Sequence, residues 1–288
     1  MASKPLTPAN HDRDSAGLTY VYPVVSRRSG GLSIGVNLNP NNACNWRCVY
    51  CQVPDLRRGA APPTDLGLLE RELRGLLDDA LHGDFYQRFQ VPPAQQAIRD
   101  IALSGNGEPT SSAQFPQAAA LIGQIAADFG LGGPRQHFKL VLISNGSLMR
   151  RENVRAGLKT WAAAGGEVWF KLDSATALGT ARINSVHASP ESRLRNLQAA
   201  ADLCPTWLQT CAFAIDGQPP AAAERQAYLA FLRQAQDAGI ALRGVLLYGL
   251  ARPSQQPEAP RLAALPVEWM ESFAAEIRGV GVEVRLSL

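Results

Sequence analysis

No stretch of this 288-residue sequence approaches the roughly 18 to 20 consecutive apolar residues that a membrane helix needs. Its opening, MASKPLTPANHDRDSAG, is polar and lacks the apolar centre of a secretory signal, so a cytoplasmic protein with no membrane partner is expected. Charge of one sign is scarce: the formal net charge is +3, too small to announce a nucleic-acid partner by itself. Aromatic residues make up only 7%, so an obvious stacking platform for unpaired bases is missing. There are four histidines, and the two nearest the main cysteine group, His11 and His82, stand at no spacing that completes a zinc motif. Charged residues are 18% against 46% apolar, which excludes a mainly disordered or fibrous chain and allows a substantial core.

The small positive excess is concentrated near the N-terminus. Residues 1–62 hold seven cations (Lys4, Arg13, Arg27, Arg28, Arg47, Arg57, Arg58) against three acids (Asp12, Asp14, Asp55), and the rest of the chain is near neutral. This bias reads either as a solvated basic surface or as a means of holding an anionic substrate or a cofactor carboxylate.

From Gly31 onward, short β-branched apolar runs alternate with longer segments of helical periodicity, the pattern of parallel strands with helical crossovers. Strands are predicted at 32–38, 100–104, 138–143, 167–172, 209–215 and 242–248, with a further edge strand at 282–288. Helices are predicted at 64–81, 114–128, 151–163, 190–202, 220–237 and 266–278. Ser189-Pro190-Glu191 combines a capping residue, a first-turn proline and an early acid. The stretch 83–99 and the proline-rich 251–266 read as loops or insertions, and the first 19 residues as a loose or draped arm ahead of one domain over 20–288. The fold class is α/β. In such folds ligand sites gather at the carboxyl ends of the strands, so NPNNAC, GNGEPT, SNGS, DSA, DGQ and GLARP should converge on one rim.

Five cysteines is an odd number, and three of them, Cys44, Cys48 and Cys51, fall within CNWRCVYC. That is a poor disulfide framework and a good metal-binding one in a reducing compartment. A compact loop can direct three thiolates to three irons of a cubane and leave the fourth iron without a protein ligand. A structural zinc site would ordinarily want four ligands, and a distant residue remains an alternative source of the fourth. Cys204 and Cys211 read as core residues.

The CxxxCxxC spacing with Tyr50 before the last cysteine resembles the signature of the radical S-adenosylmethionine (SAM) superfamily. The resemblance implies a partial (β/α)6 barrel, with an extension after about residue 250, a 4Fe-4S cluster on Cys44, Cys48 and Cys51, and bound SAM. Gly105-Asn106-Gly107-Glu108 resembles the segment whose backbone and carboxylate receive the amino group of SAM. Glycines there permit close backbone approach, and a carboxylate suits an amine. Ser144-Asn145-Gly146 and Lys171-Leu172-Asp173-Ser174 resemble segments that line the ribose and the methionine carboxylate. In that resemblance Ser144 and Asp173 meet ribose hydroxyls and Lys171 pairs with the carboxylate.

Activity would consist of reductive cleavage of SAM to a 5'-deoxyadenosyl radical that abstracts hydrogen from a substrate, with electrons from a donor such as flavodoxin or ferredoxin. Trp46, Val49 and Tyr50 would keep water from the cluster, and Arg47 would add positive charge beside it. Ser26-Arg27-Arg28, Gly31-Leu32-Ser33-Ile34-Gly35 and Tyr50-Cys51-Gln52 narrow the resemblance to the bacterial group related to wyosine synthetases, which modify transfer RNA. RNA is therefore one candidate substrate, although this sequence has no cysteine before Cys44 for the second cluster of that group. A non-catalytic zinc or cluster-binding module is the alternative from another class.

Overall fold

The computed structural model describes residues 5–7, 16–26, 30–132 and 137–288. Lys4, Arg13, Arg27 and Arg28 of the basic N-terminal bias lie outside the described residues. One eight-stranded sheet organises the chain, its strands lying side by side in sequence order: β1 Val21–Ser26, β2 Gly31–Val36, β3 Ile98–Leu103, β4 Lys139–Ser144, β5 Gly166–Lys171, β6 Thr206–Cys211, β7 Leu242–Tyr248 and β8 Val284–Ser287. From β2 to β8 every pairing is parallel, whereas β1 runs antiparallel to β2. The helices of eight or more residues among the described residues are α1 Leu66–His82, α2 Phe115–Asp128, α3 Glu152–Ala163, α4 Ala177–Asn184, α5 Pro190–Ala201, α6 Ala222–Asp237 and α7 Val267–Gly279, and a single helical turn, Phe85–Arg88, interrupts the 83–99 stretch expected to be loop. Tyr22 of β1 and Leu286 of β8 line the same cavity although the two strands do not pair, so the sheet is curled into a partial barrel.

The helices form where capping and an apolar stripe coincide. Asp65 caps α1 by accepting from the Leu68 amide at 2.9 Å, and Leu69, Leu73, Leu76, Leu77 and Ala80 then recur on its buried face. Each such fully buried leucine contributes roughly 1.5–3 kcal/mol. Ser189 caps α5 by accepting from the Ser192 amide at 3.2 Å, with Pro190 in the first turn. Glu72 of α1 has no counterpart in the sequence pattern: buried in the apolar stripe, it accepts from the Thr19, Tyr20 and Val21 amides at 2.8, 2.7 and 3.3 Å and so sets where β1 begins.

Three local expectations change. The antiparallel strand β1 was not expected, because Pro23 interrupts its apolar run; as the edge strand it tolerates a residue with no amide hydrogen. Strand β6 covers 206–211 rather than 209–215, starting directly after Pro205, and Ala214–Ile215 pairs instead with Leu262–Ala263. Helix α4 follows β5 where none was predicted, because it is too short to show a stripe; Thr176 caps it by accepting from the Gly179 amide at 2.8 Å. Within the N-terminal arm, Leu6 is buried and its amide donates to Phe89 O at 2.9 Å. Beyond residue 250 the chain adds α7 and then β8, which joins the same sheet beside β7. No helix among the described residues is long and apolar enough to cross a membrane.

Candidate active site

The loop after β2 carries the three close cysteines, and the ends of β3, β4, β5 and β7 surround it. Short bonds shape it: Asn39 Nδ2 donates to Ala43 O at 2.9 Å, and Ala43–Cys44 pairs with Arg57–Arg58 to close it. The Arg47 and Val49 amides donate to Asn184 O at 3.2 Å and Ile183 O at 2.8 Å, fixing the loop to the end of α4. From the other side the proline-rich segment clamps it. Ser254 Oγ donates to Val49 O at 2.7 Å, Gln256 Nε2 to Val53 O at 2.9 Å, and Arg47 forms a two-pronged pair with Glu258 at 2.9 and 2.6 Å.

Cys44, Cys48 and Cys51 are half-buried and face one cavity of about 640 Å³ inside the barrel mouth. Among the described residues no three His, Cys, Asp or Glu side chains converge as ligands of a single ion. Sulfur acceptors are already partnered, Cys44 Sγ by the Trp46 amide at 3.4 Å and Cys48 Sγ by Asn184 Nδ2 at 3.2 Å. Burial pushes the thiols of Cys44 and Cys48 up to about 12. A thiolate at either position would need a nearby positive charge, such as that of a bound metal.

Gly105, Asn106, Gly107 and Glu108 reach the cavity, but much of their chemistry is spent on the protein. A Cβ on Gly105, at φ +127°, would lie 2.5 Å from Asn37 Oδ1, and one on Gly107 would lie 2.1 Å from Ala43 O. Both glycines thus admit the cysteine loop itself. Asn106 Nδ2 donates to Asn42 Oδ1 at 2.6 Å. The buried Glu108 carboxylate accepts from the Thr110 amide at 3.2 Å, the Thr110 hydroxyl at 2.6 Å, Ser144 Oγ at 2.6 Å and the Asn145 amide at 2.7 Å. Four donors match a carboxylate's acceptor capacity. Burial raises its proton affinity, and the hydrogen bonds from Ser144, Thr110 and Asn145 act against that.

Tyr50, Asn145 and Lys171 stand on the cavity wall; Ser144 and Asp173 stand behind it. Ser144 is occupied by Glu108, and Asp173 accepts from Tyr50 OH at 2.6 Å, Asn184 Nδ2 at 2.9 Å and the Cys211 amide at 3.1 Å. Lys171 donates to Tyr248 OH at 3.1 Å and lies 4.9 Å from the Tyr50 ring centroid. Burial alone would push its ammonium down, but Tyr248, Asp173, Cys48 and Cys211 outweigh that and hold it protonated.

Sequence reasoning missed several wall residues, among them Tyr22, Ser104, Trp169, Gln209 and Tyr248. The period-two alternation of strands would have found two of them, since Trp169 and Gln209 lie two residues before Lys171 and Cys211. Cys211, expected in the core, is buried and also lines this cavity. Arg193 carried no signal at all. It is 4% exposed, donates to Lys171 O at 2.6 Å and packs over Trp46, and its Nε and Nη1 have no hydrogen-bond partner among the described residues. It lines a second cavity, of about 420 Å³, and Trp46 and Asn145 border both.

The fold places this site among known structures. A TYW1 structure with a lysine-pyruvate adduct bound superposes with a TM-score of 0.56 at 14% identity, covering 87% of this chain and 74% of that one. A radical SAM methyltransferase from Sphaerobacter thermophilus superposes with a TM-score of 0.56 at 13% identity, covering 89% of this chain and 66% of that one. This is the radical SAM fold. In parallel α/β folds ligands bind outside the carboxyl ends of the strands, and the three cysteines of this chain lie on that rim. No family model matches the sequence. Among curated proteins, GTPase Obg of Brachyspira hyodysenteriae is 26% identical over 136 residues, 47% of this chain and 17% of its own length. This chain thus spans about a sixth of that relative, and it contains no Gly-Lys-Ser or Gly-Lys-Thr of a phosphate-binding loop.

Proposed function

We propose that this chain is a radical SAM enzyme that holds a 4Fe-4S cluster on Cys44, Cys48 and Cys51 and binds SAM in the cavity those thiols face. One observation carries the reading: three thiols of a single eight-residue segment face one cavity at the carboxyl rim of a partial parallel barrel. The donor set fits, since three thiolates leave one iron of a cubane open to a small ligand. When bound, cluster and SAM supply reductive cleavage to methionine and a 5'-deoxyadenosyl radical for hydrogen abstraction.

The chain's own residues bind, orient and exclude water. Val49, Tyr50 and Phe213 form an apolar wall, with the Tyr50 and Phe213 rings 5.3 Å apart, that keeps bulk water from the sulfurs. Lys171, held as an ammonium, offers a fixed cation to a carboxylate in the cavity. Arg193 is a second buried cation beside Trp46; it lines the neighbouring cavity and steadies the end of β5 by donating to Lys171 O. Asn184 steadies Cys48, and Glu108 holds the ends of β3 and β4 together.

The test is anaerobic reconstitution with iron and sulfide, followed by reductant and SAM. Expected are about four irons and four sulfides per chain, an electron-paramagnetic signal of the reduced cluster, and 5'-deoxyadenosine. Stoichiometric zinc without sulfide would overturn the reading.

An RNA substrate is the second reading. The likeness to TYW1 over most of the chain and the exposed Arg57 and Arg58 favour it. Binding of transfer RNA would then weaken steeply with salt.

A further inference from the structure

Helix α5 turns one face of its first two turns, Ser189, Ser192, Arg193 and Asn196, towards the second cavity, of about 420 Å³. Positions three and four apart are neighbours on a helix surface, so the positive end of the helix dipole lies along that wall. The Asn196 Oδ1 acceptor is already taken by Arg150 Nε at 3.1 Å, which leaves that side chain its donors. His187 lines the cavity from the loop before α5 and is exposed. No aspartate or glutamate among the described residues lines it, and Glu191 of the first turn faces solvent.

Arg193 gives the independent sign of a missing ligand. It is 4% exposed, its guanidinium makes one hydrogen bond, to Lys171 O at 2.6 Å, and Nε and Nη1 have none among the described residues. Burial works against its charge. A buried cation with unused donors is costly until an anionic group completes it. Trp46 and Phe170 add an apolar wall to the same cavity, whose volume falls in the range of organic ligands and exceeds the needs of a bare ion.

We propose that this second cavity binds a small organic oxyanion, a phosphate monoester or a carboxylate, through Arg193 and the N-terminus of α5. The charged group takes the donors of Arg193 and the first turn of the helix, which favour negative charge. Its organic body lies against Trp46 and Phe170. The site is separate from the cavity that the three cysteines face, and it does not depend on the radical SAM reading.

The test is calorimetric titration of the reconstituted full chain with glycerol 3-phosphate, with glycerate and with glycerol, each with and without saturating SAM. At least one of the two anions should bind with a dissociation constant of about 1 mM or tighter, glycerol should not bind, and the tighter anion names the charged group. Saturating SAM should change that constant by less than about threefold. Arg193→Met should weaken anion binding at least tenfold. Ser192→Phe, which fills the cavity and leaves Arg193 in place, should do the same, so the test stands even where Arg193→Met does not fold. No binding of either anion at about 10 mM overturns the proposal. So does wild-type affinity in Ser192→Phe, and so does displacement of the anion by SAM, which would assign the binding to the cysteine-lined cavity.

Discussion

Tyr50 OH donates to Asp173 Oδ2 at 2.6 Å, joining the cysteine loop to the end of β5 across 123 residues of sequence. The same carboxylate oxygen accepts from Asn184, which also donates to Cys48. A tyrosine and an aspartate that both resemble cofactor-contact residues thus form a bracket that sets where the thiols sit. Tyr50→Phe should lower the stability of the metal-free protein by about 1–3 kcal/mol, read from urea unfolding, and the cluster should be lost faster on air exposure. Wild-type stability in this variant would show that the bracket bears no strain of the fold.

Glu108 holds four donors from two strand ends. Glu108→Ala leaves buried hydroxyl and amide donors unpaired and should destabilise the fold by roughly 3 kcal/mol or more, with loss of cluster following from the collapse of the support. A variant that unfolds like wild type but fails to bind SAM would instead assign the carboxylate to direct contact with the cofactor.

Cys211 lines the same cavity as the three loop cysteines but is presented from a strand. Cys211→Ala should leave iron and sulfide content unchanged, while Cys48→Ala should abolish both. Loss of iron in Cys211→Ala would mean a closed four-thiolate site, with no corner for SAM.

Arg193→Met removes a buried cation whose Nε and Nη1 have no protein partner. Arg193 lines the second cavity and reaches the one assigned to SAM through Lys171 O, so in cluster-loaded protein the variant's SAM dissociation constant, measured by equilibrium dialysis, should rise about threefold, ~0.7 kcal/mol. Arg193→Lys should recover part of that. Equal affinity in all three proteins would limit Arg193 to packing on Trp46.

Burial, and then Glu167, pushes the Cys204 thiol up to about 12 from the ordinary 9.0. The folded group's proton affinity is raised, so the stability it contributes is whole below about pH 9 and is lost as pH rises towards 12, where the unfolded thiol ionises and the buried one does not. Within that window metal-free wild type should lose stability more steeply than Cys204→Ala, by about 1.4 kcal/mol per pH unit. Parallel urea midpoints for the two proteins between pH 8 and 10.5 would contradict this.

The strand-helix alternation was legible because each element carries its own period: residues 242–248 match β7 end for end, and α2, α3 and α5 lie within a residue of expectation. The cysteine loop was legible because its ligands are neighbours in sequence. Contacts between distant segments were not. The clamp of Arg47 by Glu258 spans 211 residues, and no local pattern ties the proline-rich segment to the thiols.

Composition, periodicity and the CxxxCxxC spacing by themselves determined an α/β chain with three close cysteines in the loop at the end of its first parallel strand, since those properties are written within a few residues. Only the tertiary structure decided how the polar side chains are used. Glu108, Ser144 and Asp173 turn their oxygens to the protein, and Arg193 is left with unpartnered nitrogens, because a buried group bonds whatever the packing of remote strands brings within about 3 Å of it.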